Sequence, residues 1–271
     1  MKRELRTGLI KHLGAFSAAL FMLVLFMAQA ATAGLKLEFE MKDLSGQGPV
    51  LKEIHYYQDN FIKTISYENG KREPLYTITD CNKDIIYFID DAQRTYYTKT
   101  FDEIIASMKK GAASLSQALK DMPPAMQAQF KSMLGATPGK AVVTETGQSE
   151  IIAGFKADKY LITFKDLRSE VWISPELGRL VSKEVDSSRL KKFQEAFRGI
   201  GQDMSGGLGK IIEAEVELMK KKGEEVKRIQ TFKIMGTSST SLYQLVSAKE
   251  MDLPRSEFQV PSGYKKVKGQ F

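Results

Sequence analysis

The sequence predicts an α+β fold, a single antiparallel sheet with helices laid on one face, and three observations carry that prediction. Short segments that alternate apolar and polar residues fill the stretch from Leu35 to Thr98. At Phe101 the apolar spacing changes to three and four residues, the helical period. Alternating segments then return from Ala141, before and after a second helical stretch. Strands flanking each helix, with no internal repeat, long linker or low-complexity block, point to one sheet and not to two domains.

The first element is a leader. Lys2, Arg3, Arg6 and Lys11 make a basic start, Leu13 to Met27 is apolar without charge, and Ala28-Gln29-Ala30 and Ala31-Thr32-Ala33 both fit a small-x-small cleavage pattern. This is the three-part secretory signal. The apolar run of fifteen residues is shorter than the roughly twenty that span a bilayer. Residues 1–33 are therefore expected to be cleaved near Ala33/Gly34, with Ala30 the other candidate. No Cys follows either site, so a lipid anchor is not expected. The predicted location is the periplasm, which excludes chemistry dependent on ATP, NAD or nucleic acid. Gly34 to Phe271 is expected to be one soluble domain. Its charge falls from +7 for the whole chain to about +4 once the leader's four cations and Glu4 are removed. That mild excess leaves room for weak attraction to a membrane surface, without the clustered juxtamembrane charge that anchors proteins there.

Strands follow in order. Leu35, Leu37, Phe39 and Met41 alternate with Lys36, Glu38, Glu40 and Lys42. Leu51–Tyr57, Phe61–Tyr67, Leu75–Thr79, Ile85–Ile89 and Arg94–Thr98 are short, β-branched or aromatic, and bounded by turns such as Asp59-Asn60, Asn69-Gly70 and Asp90-Asp91-Ala92-Gln93. A helical lid is predicted over about 101–134, through Phe101, Ile104, Ile105, Met108, Leu115, Leu119 and Met122, broken at Pro123-Pro124 and resumed by Met126, Phe130 and Met133. Strands return at Ala141–Thr146, Phe155–Phe164, Ser169–Ser174 and Arg179–Val185. A second helix is predicted over about 187–204 on Leu190, Phe193, Phe197, Ile200 and Met204. Ile212, Ala214, Val216 and Leu218 alternate with Glu213, Glu215 and Glu217, which predicts a strand with the glutamates on its solvent face. Its partner strand is expected near Val226–Met235, and a last strand over Leu242–Lys249.

Little in the chain points to catalysis. The only histidine after the leader is His55, which alternation places in a strand as a structural or exposed side chain. Cys81, the only cysteine, sits between acidic residues that disfavour a thiolate. No His/Cys or carboxylate set has the spacing of a metal site, so neither metal nor cofactor is expected. Gly206-Gly207-Leu208-Gly209-Lys210-Ile211 departs from a phosphate loop, with Met204 at the first glycine position and Ile211 at the Ser/Thr position. No catalytic residue is assigned, and the chain reads as a non-enzyme.

Apolar surface is what the chain has in excess. Ile85-Ile86-Tyr87-Phe88-Ile89 is apolar on both faces, as are Tyr56-Tyr57, Tyr96-Tyr97 and much of Tyr160–Phe164. The lid adds Met108, Met122, Met126 and Met133, adaptable side chains that suit either a packed core or a cavity for an apolar partner.

Three stretches give the chain a family resemblance: Ile152-Ala153-Gly154-Phe155-Lys156-Ala157-Asp158-Lys159-Tyr160 with Glu170-Val171-Trp172-Ile173-Ser174; the late hairpin Glu215–Lys233; and Leu253-Pro254 running into Phe258-Gln259-Val260-Pro261-Ser262-Gly263-Tyr264. With the strand order, they make the chain similar to the LolA/LolB/RseB-like periplasmic lipoprotein-carrier superfamily, and most similar to an uncharacterised exported family, a domain of unknown function. The resemblance implies a strongly curved antiparallel sheet, an incomplete β-barrel, with helices covering its open, concave side. It also implies an apolar envelope ligand such as an acyl chain or a lipoprotein. The expected function is a soluble periplasmic binding or carrier protein for a lipid-like ligand. The alternative is an envelope interaction or sensing module with a packed core. The expected contacts are Met108, Leu115, Leu119, Met122, Met126, Phe130, Tyr87 and Trp172.

Overall fold

The computed structural model describes residues 33–44, 46, 48–123, 139–165, 167–191, 195, 207–234 and 237–269. Gly34–Phe271 forms one compact unit. Its strands are β1 (Ala33–Asp43), β2 (Leu51–Gln58), β3 (Phe61–Glu68), β4 (Lys71–Asp80), β5 (Ile85–Asp90), β6 (Thr95–Thr100), β7 (Val142–Ile152), β8 (Phe155–Phe164), β9 (Leu167–Ser174), β10 (Glu224–Ile234), β11 (Thr237–Asp252) and β12 (Lys265–Lys266). The helices are α1 (Phe101–Lys120), α2 (Pro175–Glu184) and α3 (Gly207–Lys222). The twelve strands make one curved, open sheet in the order β12-β6-β5-β4-β3-β2-β1-β11-β10-β9-β8-β7. The strands joined by hairpins pair antiparallel, as do β9 and β10, and the short β12 runs parallel to β6. The fold class is thus α+β with a curved open sheet, as the alternation and the resemblance predict.

Local chemistry sets the element ends. Asn69 and Gly70 take positive φ (48° and 80°) in the β3–β4 turn, the left-handed backbone that a two-residue hairpin needs. Thr100 and Glu103 form a reciprocal capping box at α1. The Thr100 Oγ1 accepts from the Glu103 N–H at 3.1 Å, and the Glu103 carboxylate accepts from the Thr100 N–H at 2.7 Å. Phe101, 2% exposed, pins that end.

Two predicted strands are helices. Arg179–Val185 belongs to α2: Ser174 accepts from the Leu177 N–H at 3.3 Å and Pro175 fills the first helical position, both start signals. The segment Ile212–Met219 lies within α3. Its buried residues are Ile211, Glu215 and Leu218, a helical period and not an alternation. Glu215, expected on a solvent face, is therefore inside. Of the predicted second helix, 187–191 and 195 are helical, while the other positions through 206 lie outside the described residues.

The core is divided between the two faces of the sheet. Leu253 and Phe258, with Val260 and Tyr264, fold back over Ile65, Tyr76, Ile78 and Ile89 on the face away from α2 and α3. On the helix-bearing face, Ile211 and Leu218 pack on Tyr160, Ile162, Val171 and Ile173. Between them, Leu35, Leu37 and Phe39 of the central β1 pack with Leu177, Val226 and Leu245.

Candidate functional site

Two adjoining spaces open on the helix-bearing face. The inner one, about 220 Å³, lies under α2 against β1, β2, β10 and β11. Leu37, Phe39, Leu177, Val181 and Met219 give it apolar walls, and His55, Tyr57, Glu224, Glu225, Arg228 and Tyr243 are its polar lining. The outer one is an open groove of about 950 Å³ beside α2 and α3. Pro175, Val216 and Met219 are apolar there, and Arg179, Lys183, Lys191, Lys220, Lys221 and Lys222 supply positive charge against Glu195, Glu217 and Glu224. Met219 and Glu224 line both spaces.

Glycine makes the seam between them. A Cβ on Gly178 of α2 would stand 3.0 Å from the Gly223 Cα. Gly223 has φ +130°, and a Cβ there would meet the Ser174 carbonyl oxygen at 2.4 Å. The turn from α3 into β10 can pass under α2 only without these side chains, and that turn delivers Glu224 and Glu225.

The inner lining is a polar network. Glu215, 3% exposed, accepts from the Ser169 hydroxyl at 2.6 Å and from the Arg228 Nη1 at 3.0 Å. Glu225 stands 3.5 Å from the Arg228 Nε. The guanidinium also covers the Tyr243 ring at 5.6 Å, and that ring stacks on Phe39 with centroids 4.8 Å apart. His55 meets the Phe39 ring edgewise at 5.3 Å, lies 3.0 Å from a Glu53 oxygen and 3.2 Å from the Tyr57 hydroxyl. Burial pushes the Glu225 carboxyl up to about 7, against the opposing pull of Arg228. Burial alone pushes the Glu224 carboxyl up, and it raises the Tyr57 and Tyr243 hydroxyls far above their ordinary range.

The expected contact residues are dispersed. Met108 and Met122 are half-buried, at the middle of α1 and just beyond its end. Leu115 and Leu119 sit on α1 with side chains outside those described, and Met126 and Phe130 lie outside the described residues. Tyr87 packs in the cluster under the returning tail. Trp172 lies between the ammonium groups of Lys159 (4.9 Å) and Lys227 (4.5 Å), its partners across the strands. Tyr87 therefore faces away from α2 and α3, whereas Trp172, 6% exposed, belongs to the cluster that includes Leu177 of α2. Alternation and helix spacing cannot bring together Glu215, Glu225, Arg228 and Tyr243, which come from α3, β10 and β11. Cys81 is buried and its thiol is pushed up to about 11, by burial and then by Asp80 and Asp84, as the acidic flanks suggest.

The family model of a domain of unknown function (DUF4412) matches residues 122–264. No curated protein matches the sequence. Similar solved structures include an uncharacterized conserved protein from Thermus thermophilus (TM-score 0.41, 7% identity, 87% of this chain and 90% of that one). MucB in complex with MucA(peri) is another (TM-score 0.36, 10% identity, 89% of this chain), and this chain spans 60% of its length. A third is the LolA superfamily protein NE2245 from Nitrosomonas europaea (TM-score 0.26, 7% identity, 84% and 89%). The family match agrees with the resemblance of the sequence to a domain of unknown function.

Proposed function

The chain belongs to the DUF4412 family, and from that premise and the geometry above we propose that it is a non-enzymatic binding or carrier protein of the cell envelope for a lipid-like ligand with an anionic head. The outer groove carries this reading. Its volume of about 950 Å³ lies within the roughly 300–1,000 Å³ of pockets that hold drug-sized ligands. Burying a chain against Val216 and Met219 gains about 0.8 kcal/mol per CH₂. The lysines and arginines of the rim neutralise a carboxylate or phosphate. The envelope location rests on the leader. The non-enzymatic reading rests on the sequence, where neither a phosphate-loop motif nor the residue spacing of a metal site is found.

A second place for an acyl chain is favoured by one observation. On the helix-bearing face of β3–β6, Ile62, Ile86, Phe88 and Tyr97 are only half-buried, at the end of the sheet where α1 begins. There the expected lid residues Met108 and Met122 would cover the ligand. Substitution separates the two. In a fluorescent fatty-acyl probe titration, Lys220→Glu with Lys221→Glu should weaken binding about tenfold if the groove holds the head. Met122→Asp should instead be the damaging change if the lid holds the chain. Wild-type affinity in both variants would reject both places.

A further inference from the structure

The inner cavity is acidic inside a basic protein. Glu224 and Glu225 line it, Glu215 stands behind Arg228, and Glu53 sits beside His55. Against these four carboxylates the lining sets one guanidinium, Arg228, which Glu215 and Glu225 already hold at 3.0 and 3.5 Å. No cation among the described residues pairs with Glu224. An unpaired carboxylate held partly away from water is costly, and protons or a cation from outside relieve that cost.

The walls say which cation fits. Among the described residues no three His, Cys, Asp or Glu side chains converge as a metal site requires. The space, about 220 Å³, holds roughly seven waters and is far larger than a bare ion. Its walls are apolar and aromatic: Leu37, Phe39, Tyr57, Leu177 and Val181. Carboxylates and aromatic rings in one lining are a combination that suits an organic ammonium.

We propose that the inner cavity binds a small organic cation of the alkylammonium class, seated on Glu224 within the wall of Phe39, His55 and Tyr57. This assignment does not rest on what the outer groove binds, although Met219 and Glu224 line both spaces. The bound cation replaces the protons that burial otherwise imposes on Glu224 and Glu225. Binding therefore releases protons and strengthens as pH rises through about 7. The groups facing the site are Glu53, His55 and Tyr57 from β2, Glu224, Glu225 and Arg228 from β10, Tyr243 from β11, and Glu215 from α3. The α2 side chains that line the cavity, Leu177 and Val181, are apolar.

The test is calorimetric titration of the purified chain with choline and with its uncharged tert-butyl isostere. Titrations in two buffers of different ionisation enthalpy count the protons released. Choline should bind saturably at about pH 8 and at least about tenfold more tightly than the isostere, with proton release. Glu224→Gln should lose about tenfold in affinity and part of the released protons. Glu225 lines the inner space and not the groove, so Glu225→Gln should likewise weaken choline binding and leave the fatty-acyl probe titration of the groove unchanged, which separates this site from that one. Failure of choline to bind, equal binding of the isostere, or wild-type affinity in Glu224→Gln would overturn the assignment.

Discussion

In β3–β5 the buried apolar side chains face the returning tail, whereas Tyr160, Ile162, Phe164, Val171 and Ile173 of β8 and β9 face α3 on the other side of the same sheet. A sheet must cover one face to be stable, but it need not cover the same face along its length. The first half leaves its helix-bearing face half-covered. The second half carries charged pairs such as Lys227–Glu150 (2.9 Å) and Lys159–Glu170 (2.6 Å), whose lysines lie over the buried Trp172 ring. The crossover falls at β1, β11 and β10, and there the inner space opens. A site at the changeover is expected physically, because packing is complete on neither side of it.

Substitutions can set the two halves against each other, beginning with the tail. Phe258 is 6% exposed and packs on Phe61 with centroids 5.8 Å apart. Phe258→Ala should cost about 4 kcal/mol in urea unfolding. Hydrogen exchange should quicken in β3–β6 and stay unchanged in β8–β10 if the two cores are separable. The converse is Glu215→Ala, which removes the buried partner of Ser169 and Arg228. It should cost about 3 kcal/mol and speed exchange in β8–β10 alone.

Glu225 distinguishes the second half through pH. Burial raises its carboxyl from an ordinary 4.5 to about 7, so between those values the folded chain holds a proton that the unfolded chain has lost. Its contribution is full below about 4.5 and is lost as pH rises through 7. The change over that window is about 3 kcal/mol for a side chain 9% exposed. Glu225→Gln should therefore gain stability relative to wild type between about pH 5 and about pH 8, read as a shift in the urea midpoint. The smallest effect is expected at the rim: Lys220 and Lys221 are exposed, and reversing their charge should change stability by no more than about 0.5 kcal/mol.

The strands were legible because their faces are sampled by alternation, and Phe155–Phe164 is bounded by the same residues in sequence and structure. The helices α2 and α3 were not, because over seven or eight residues a period of two and a period of 3.6 share many positions. Ser174-Pro175 carried a helix-start signal that outweighs the alternation after it. In α3 the deciding residue is Glu215. A carboxylate is read as solvent-facing from sequence, and only Ser169 and Arg228 from other elements make its burial tolerable. The same reason hid the inner cavity. His55 was legible as a strand residue, but its place beside Phe39 and Tyr57 within the wall of an acidic pocket depends on four strands brought together by the sheet order.

The central claim is that the groove beside α2 and α3 binds a lipid-like ligand, and a fluorescent fatty-acyl probe titrated into the purified chain tests it most directly. Saturable binding that falls about tenfold in the Lys220→Glu, Lys221→Glu variant, with urea stability unchanged, is the predicted result. No saturable binding by the wild-type chain would contradict the claim and leave an envelope interaction module as the reading to pursue.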